Sequence, residues 1–255
     1  MMSFTPGQIV VLIVIATLGH VMALFCYLAV KYQLKMCRRT IFDMPIGSAQ
    51  LRREFRNSLH APMPAVLLAG VLYLGYFQNT TWLSFVLTLV GTTVWIEIWH
   101  YTSHRAYHLR ALHWIHAEHH KSHLNSWLTA LSFSFTEQLI FDVGILAPLM
   151  VLDQYISVNF YGVAGWFISY LVINSLHHAN YEAKPASFNR FLGRVLATTT
   201  YHSLHHSRYT QNFGLGSRVL DRLFKTEWPD YEPAYERITR DERPLTRLSE
   251  KVERS

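Results

Sequence analysis

The sequence predicts an all-α integral membrane protein. A bundle of about four to five transmembrane helices, arranged in hairpins, is expected to hold a cytosolic helical cap with a histidine-rich site for two metals. Three observations predict this class. Half of the 255 residues are hydrophobic and only 16% are charged, the apolar residues gather into five segments, and most of the 15 histidines fall in three short stretches.

The composition excludes several other classes of protein. Two cysteines, Cys26 and Cys37, are too few for a disulfide scaffold or for a cysteine-rich zinc or iron–sulfur site. The net charge of +6 could indicate nucleic-acid binding. That function requires aromatic residues interleaved with basic residues on a soluble surface, a pattern that this chain lacks. We therefore expect no nucleic-acid partner, and we expect metal ligands that are nitrogen or oxygen atoms.

The first apolar segment, residues 9–30, contains 22 residues without a charge. As a helix it would span roughly 30 Å of hydrocarbon. The eight residues before it carry no charge, whereas Lys31, Lys35, Arg38 and Arg39 follow it. This order is typical of a membrane anchor with a stop-transfer signal rather than of a cleaved signal peptide.

The remaining apolar segments predict two helical hairpins. Residues 63–77 and 82–99 are separated by four polar residues, and the short first arm is expected to tilt little or only to dip into the bilayer. Residues 138–152 and 155–176 are separated at Asp153 and Gln154 and are interrupted by Pro148 and several glycines.

The distribution of basic residues predicts the orientation of these segments. All 23 lysines and arginines lie within residues 31–56, 105–121, 184–225 and 237–254. The positive-inside rule places these stretches, and the histidine-rich regions among them, on the cytoplasmic face, and it places the N-terminus on the opposite side. The chain would cross the membrane five times if both hairpins span fully, and a re-entrant hairpin would leave the histidines on the same face.

The histidines form three clusters and one pair. His100, His104 and His108 recur at steps of four, so that they share one helix face. The other members are His116-x-x-His119-His120 followed by His123, then His177-His178, and then His202-x-x-His205-His206. Packed imidazoles beside a bilayer would be costly to protonate together, whereas neutral imidazole is the commonest nitrogen ligand of metals.

The number of ring nitrogens exceeds what one tetrahedral zinc needs, which predicts two metals. Two imidazole-bound irons can activate dioxygen for attack on an unactivated C–H bond, which hydrolytic zinc cannot do. A ferritin-like site needs two Glu-x-x-His pairs, but only Glu97 with His100 fits that spacing. The His-Glu-x-x-His string of zinc peptidases is absent.

Several motifs in one order resemble the fatty acid hydroxylase superfamily, which includes sterol desaturases, sterol methyl oxidases and fatty acid hydroxylases. They are Glu97-(x)3-Tyr101-(x)2-His104-Arg105-x-x-His108, His116-x-x-His119-His120, Asn174-(x)3-His178-x-Asn180, His202-x-x-His205-His206, Gln211-Asn212-Phe213-Gly214 and Leu220-Asp221-Arg222-Leu223-Phe224-Lys225-Thr226. The resemblance runs from about Glu97 to Thr226. Glu97 stands where the family often has aspartate, and Lys225 where it commonly has glycine.

The resemblance implies an integral membrane di-iron oxygenase with two irons, dioxygen as co-substrate and a cytosolic catalytic cap over a helical stalk. It also implies the catalytic metal ligands, which are His104, His108, His116, His119, His120, His178, His202, His205 and His206. Asn174 occupies a place where some relatives have a tenth histidine. His100, His113, His123 and His177 are extra to the motif, and a structural or ligand-supporting role is favoured for them over direct ligation.

On this basis we expect oxidation of an unactivated C–H site of a sterol or fatty acyl chain, by hydroxylation or desaturation. The chain contains no Gly-x-Gly-x-x-Gly and no Cys-x-x-Cys, so electrons should come from a separate carrier, a ferredoxin or a cytochrome b5-type protein with its reductase. A carotenoid or other isoprenoid or acyl-lipid hydroxylase is an alternative. A membrane metal transporter is another, for which His20 and Asp142 are the buried ionisable candidates.

The domain organisation follows from these assignments. Residues 1–62 would form the anchor and a basic cytoplasmic loop, residues 63–228 the catalytic domain, and residues 229–255 a cytoplasmic tail on the surface. The basic loop could lie against anionic headgroups or dock an acidic electron carrier.

Several side chains other than the histidines have two interpretations each. Three carboxylates could orient ligand imidazoles or be solvated charges: Glu97, Glu118 and Asp221. Four tryptophans could line a lipid entrance or form an interfacial belt: Trp95, Trp99, Trp114 and Trp127.

Overall fold

A computed structural model describes residues 4–32 and 39–253. Within these ranges the backbone forms α-helices, short 3-10 helices and isolated β-bridges, and no β-strand. The α-helices are, in chain order, α1 (Pro6–Lys31), α2 (Ser48–Asn57), α3 (Met63–Tyr73), α4 (Trp82–Tyr107), α5 (His113–His120), α6 (Phe135–Leu152), α7 (Phe160–His177), α8 (Thr199–Arg208), α9 (Val219–Leu223) and α10 (Tyr231–Thr239). The predicted all-α class is confirmed. Cys37 and the basic residues Lys35, Arg38 and Arg254 lie outside the described residues.

Three of the described helices are long and apolar enough to cross a membrane: α1, α4 and α6. The expectation that α3 is a short arm is confirmed, since its 11 residues extend about 16 Å, well below the roughly 30 Å of the hydrocarbon core. Gly19, in the middle of α1, lies against Ala61, just before α3. Helix α3 therefore begins about halfway along α1, and the condition for five crossings is not met.

Both hairpin turns and the start of α1 lie at one end of the bundle. The Phe77 amide donates to Oδ2 of Asp153 at 2.8 Å, and the Phe160 amide donates to the Phe77 carbonyl at 3.2 Å. Gly7, in the first turn of α1, lies against Tyr161. The histidine boxes follow from the opposite ends of α4 and α7, as the charge distribution requires. The side of the membrane that each end faces stays a prediction.

Pro148 does not break the second hairpin as expected, because α6 continues through it to Leu152. A proline leaves the carbonyl four residues earlier without its helical donor. That carbonyl belongs to Gly144, and it accepts a hydrogen bond from Nε1 of Trp95 at 3.0 Å. Trp99 packs so closely on Gly144 that a Cβ there would overlap its ring. Trp95 and Trp99 thus bind α4 to α6, which neither interpretation of these tryptophans predicted.

The apolar residues form one core in the helical bundle and a second core in the cap. The expectation that the tail from Tyr231 lies on the surface is wrong. Tyr231, Ala234, Tyr235 and Ile238 are all fully buried in the cap core. These positions follow the i, i+3, i+4, i+7 spacing of one helix face, a signal that the surrounding charges and prolines obscured.

Candidate metal centre

Four parts of the chain bring histidines to the junction of the bundle and the cap. Helix α4 extends beyond the predicted residue 99 to Tyr107, so His104 lies in its last turn and His108 caps it. Helix α5 contributes His116, His119 and His120, and α8 contributes His202, His205 and His206. His178 caps α7. Each box is thus on a helix or at its end, where the backbone fixes the direction of the ring.

The nine histidines in the resemblance pattern form two groups. In each group the ligand nitrogens all lie within 4.8 Å of one another. The first group contains His104, His108, His116, His120 and His205, and the second contains His119, His178, His202 and His206. The groups adjoin, since the rings of His116 and His119 stack with their centroids 5.0 Å apart. Residues separated by about a hundred positions in sequence therefore present their nitrogens to two common points.

The ring nitrogens converge at distances that suit a metal ion. The Nε2–Nε2 distance is 2.9 Å for His202 and His178, 3.3 Å for His178 and His119, and 3.2 Å for His206 and His202. In the first group, Nε2 of His205 lies 3.1 Å from Nε2 of His120. Two nitrogens bound to one ion at about 2.0–2.1 Å, with about 90–110° between the bonds, lie about 2.9–3.4 Å apart.

Hydrogen bonds at the other ring nitrogen determine which atoms face inward. A carbonyl oxygen only accepts, so an Nδ1 atom bonded to it carries the proton. Nδ1 of His119 donates to the Ser132 carbonyl at 3.2 Å, and Nδ1 of His178 donates to the Asn174 carbonyl at 2.9 Å. In the neutral rings both Nε2 atoms therefore carry a lone pair and no proton. Two such acceptors cannot form a hydrogen bond with each other. A cation between them would remove this repulsion.

The same arrangement recurs in part of both groups, whereas the Nδ1 atoms of His120 and His202 are buried without a partner. Nδ1 atoms donate to backbone carbonyls in three further rings, at distances of 2.7–3.0 Å: His104 to Phe213, His205 to Gln211 and His206 to Ser122. Nε2 atoms of three rings in the first group are buried and have no hydrogen-bond partner: His104, His108 and His116. Such orphaned buried acceptors are costly in a folded protein and are satisfied when they bind a metal.

Burial keeps these rings neutral and able to bind a metal. It lowers the pKa of His178 to about 4 and that of His108 to about 2, where neighbouring His104 and His113 add to the effect. The pKa of His119 also lies well below its ordinary value, first because the ring is buried and then because His178 is close. The donor set is nitrogen alone, which suits iron, copper, nickel or zinc rather than calcium or magnesium.

A carboxylate that no sequence motif indicated, Glu137, contacts a ring of the first group. It lies in the first turn of α6 and accepts a hydrogen bond from Nδ1 of His116. Its other oxygen is buried without a partner. A carboxylate behind an imidazole fixes the tautomer and raises the basicity of the facing nitrogen. The sequence feature that could have indicated this role is the position of Glu137 directly before the apolar segment 138–152.

The three carboxylates proposed from sequence have other contacts. Glu97 packs against Gly216, and Glu118 pairs with Lys121 and accepts from Nδ2 of Asn57 at 2.9 Å. Asp221 contacts a histidine ring only indirectly. It accepts a hydrogen bond from the Phe213 amide at 2.9 Å, and the Phe213 carbonyl accepts one from Nδ1 of His104. Asp221 thus orients a loop that orients a ring.

Glu54 of α2 is a second missed carboxylate. It is fully buried and accepts from the hydroxyl groups of Ser122 and Ser126 at 2.6 Å each and from that of Thr129 at 2.8 Å. The Ser122 carbonyl accepts from Nδ1 of His206. Glu54 therefore holds the segment that orients a ring of the second group.

The extra histidines lie outside both groups. His113 packs against His108 with ring centroids 6.1 Å apart, His123 contacts the hydroxyl of Tyr209, and His177 lies 3.2 Å from Nζ of Lys184. His100 packs against His104, and its buried Nε2 has no partner. Asn174 donates to the Ala130 carbonyl at 3.0 Å and, like His100, lines the cavity between the groups.

Two spaces lead to the histidines from the bundle side. The first is a small cavity of about 30 Å³ that rings of both groups line together with Phe133, Phe141 and Tyr170. The second is an open apolar groove of about 730 Å³ between α4 and α7, which continues beneath the cap. His100 and Tyr170 line both spaces. Trp127 lies on the groove wall, whereas Trp114 is exposed.

The fold and the site define a helical protein with apolar helices suited to a membrane and a buried, histidine-built centre that could bind metal. Residues 88–226 match the fatty acid hydroxylase family, and the chain belongs to that family. The resemblance noted from the motifs is thereby confirmed.

The chain is similar to three curated plant proteins, each named as a very-long-chain aldehyde decarbonylase. It is 30% identical to GL1-6 of Oryza sativa subsp. indica over 149 residues, which are 56% of this chain and 23% of that protein. Identity is 26% to GL1-4 of the same plant over 219 residues (81% and 35%) and 27% to CER1 of Arabidopsis thaliana over 215 residues (81% and 34%). The chain thus spans about a quarter to a third of these relatives. No solved structure matches it significantly.

Proposed function

We propose that the chain is a membrane di-iron oxygenase that uses dioxygen and externally supplied electrons to hydroxylate or desaturate a C–H site of a long-chain lipid. The family supports oxidative modification of lipids at the coarser level. The observation that carries the finer proposal is the convergence of nine histidine ring nitrogens into two adjoining groups of five and four. One group would hold each iron, and the bound pair would supply the reduction of dioxygen.

The hydroxylation balances as R–H + O2 + 2 e⁻ + 2 H⁺ → R–OH + H2O. In desaturation the substrate loses two hydrogen atoms and both oxygen atoms leave as water. Either reaction consumes two electrons from outside the lipid. The proposed source is a ferredoxin or a cytochrome b5-type carrier with its reductase.

The protein's own side chains would position the reactants and exclude water. Backbone carbonyls and Glu137 hold six of the nine rings with Nε2 inward, so that most of the ligands are arranged before a metal binds. The cavity of about 30 Å³ has room for only one or two small molecules such as dioxygen. Its phenylalanine and tyrosine rings would keep bulk water away from the reacting carbon.

The groove between α4 and α7 suits the lipid. Its volume of about 730 Å³ lies within the roughly 300–1,000 Å³ of small-molecule sites, and its walls are mainly apolar. It borders helix α4, which is apolar enough to span the bilayer, so a chain could enter sideways. The shared lining by His100 and Tyr170 gives it a short path to the cavity.

A second candidate substrate is a very-long-chain aldehyde, which the printed names of the relatives favour. Decarbonylation, R–CHO → R–H + CO, consumes no electrons in the net reaction, unlike hydroxylation. Alkane formed without an equivalent use of reductant would select this reaction. A sterol, a carotenoid or another isoprenoid remains compatible with the same groove.

The two residues proposed for metal transport have different surroundings. His20 lies exposed on α1, where Nδ1 contacts the Ala16 carbonyl of the same helix. Asp142 is buried and bonded to Gln138 one turn earlier in α6. An ion path would require ionisable groups that follow one another across the bundle.

The function is tested by supplying iron-reconstituted protein in lipid nanodiscs with dioxygen, a reductant and panels of fatty acids, sterols, isoprenoids and long-chain aldehydes. Oxidised or shortened products should form with wild type and be lost in His119→Ala and His205→Ala, one from each group. Activity retained in either variant would contradict the assigned site. His20→Ala is the matched control: His20 is exposed on α1, belongs to neither group and lines none of these spaces, so this variant should retain activity.

A further inference from the structure

A further opening to the histidine groups shares no lining residue with the apolar groove. It is a hollow of about 930 Å³ lined by the end of α4, by α5 and by the segment after α8. His108 and His120 line its depth, and both belong to the five-histidine group. His120 is only 2% exposed, so its ring lies at the floor of the hollow.

The rim of this basic hollow is positively charged. Arg105, Arg110 and Lys121 line it and are exposed. Among the described residues that line it, none is acidic. Lys121 pairs with Glu118, whereas no described salt bridge involves Arg105 or Arg110. A concave surface with cations at the rim and metal-site rings at the floor is suited to an anionic partner that must approach the centre closely.

We propose that the basic hollow is the docking surface for an acidic one-electron carrier protein, and that electrons enter through His108 or His120. This inference rests on the proposed function. Two reduced carriers would each give one electron, be oxidised once, and together supply the two electrons of the balanced reaction. Lipid and electrons would then reach the centre by separate routes, the lipid past His100 and the electrons past His108, two helical turns further along the chain.

The other basic stretch suits this role less well. Of its four described arginines, Arg39 donates to the Lys184 carbonyl at 2.7 Å, and Arg53 donates to Ser122 at 2.7 Å and pairs with Glu118. Arg39 and Arg53 thus fasten the stretch to the cap. Arg52 and Arg56 are exposed, but neither lines a space that reaches the histidine groups. A membrane surface with anionic headgroups is the competing partner for the hollow, but a flat surface would not reach the rings at its floor.

The test measures binding of two acidic probes, the soluble domain of a cytochrome b5 and a [2Fe–2S] ferredoxin, to nanodisc-embedded protein over a range of salt concentrations. Charge reversal at Arg110→Glu with Lys121→Glu should raise the Kd of the preferred probe at least tenfold and flatten its salt dependence. Arg247→Glu makes the same type of change at an exposed site outside the hollow and should change the Kd less than twofold.

Stopped-flow oxidation of the reduced probe by the iron-loaded protein gives an independent readout. The double reversal should slow electron transfer from the probe at least tenfold, while a small neutral reduced dye should deliver electrons at the wild-type rate. An unchanged Kd and rate would overturn the proposal. So would an unchanged Kd for the carrier together with weaker binding to phosphatidylserine vesicles, which would assign the hollow to headgroups.

Two wild-type outcomes separate this inference from the function on which it rests. Protein that accepts electrons from the dye but from neither carrier would overturn the docking surface and leave the oxygenase in place. Protein that accepts electrons from none of the three would overturn the oxygenase itself.

Discussion

Glu137 accepts a hydrogen bond from Nδ1 of His116, so that a carboxylate on the apolar helix α6 directly contacts a ring of the five-histidine group. The pairing joins the membrane bundle to the centre in the cap. Because it fixes His116 with Nε2 inward, metal affinity should depend on a residue that is not itself in either group.

Replacement of Glu137 should weaken metal binding without removing a ligand. Glu137→Gln keeps an acceptor oxygen but loses the charge that makes the imidazole more basic, so the affinity for one ion should fall by about 10–100-fold. Competition with a chelator of known affinity measures this. Asp142→Asn is the control, since Asp142 is buried on the same helix and bonded to Gln138. Equal metal affinity in wild type and Glu137→Gln would contradict the role.

Removal of the His100 ring should alter where the lipid is oxidised. His100 lines both the groove and the cavity but belongs to neither group, so His100→Ala should open the passage and retain both metals. We expect a shifted or broadened set of product positions, determined by mass spectrometry. Tyr73→Ala, which removes an exposed ring of α3, should leave the products unchanged. If His100→Ala instead lost an ion in elemental analysis, His100 would be a ligand.

Truncation of Glu54 should destabilise the cap. Glu54→Ala removes the common acceptor of three buried hydroxyl groups, and hydrogen bonds to a charged group contribute about 1.5–3 kcal/mol each, so a loss of at least about 3 kcal/mol in unfolding free energy is expected. Denaturant unfolding in detergent, followed by tryptophan fluorescence, measures it. Glu236→Ala breaks an exposed pair with Arg240 and should cost under about 1 kcal/mol. Similar losses in the two variants would show that the Glu54 network contributes little.

The sequence predicted the clustered histidines better than it predicted the groups that hold their rings in place. Helical spacing alone puts His116 and His120 on one face, and the family pattern named all nine rings that the structure brings together. The roles of Glu137 and Glu54 were not predicted, because their partners lie 21 and about 70 positions away in the sequence. No local sequence period indicates contacts over such distances. A backbone carbonyl that accepts from a histidine ring, such as that of Ser132 for His119, can belong to any type of residue. The sequence therefore cannot indicate such a partner.

Local rules also failed where tertiary contacts compensated for them. Pro148 predicted a helix break, but the Trp95 indole satisfies the carbonyl that the proline leaves free. The charges and prolines after Trp228 predicted a surface tail, but the apolar face of α10 is buried in the cap. In both cases the deciding partner lies far away in the chain.

The central claim is that the two histidine groups hold two irons, and metal content tests it most directly. Protein purified in detergent should contain about two irons per chain by elemental analysis, and Mössbauer spectra of an iron-57 sample should show a coupled pair. His178→Ala should reduce occupancy of the four-histidine group while the five-histidine group keeps its ion. One or two zincs without iron, even after anaerobic reconstitution with iron, would contradict the claim.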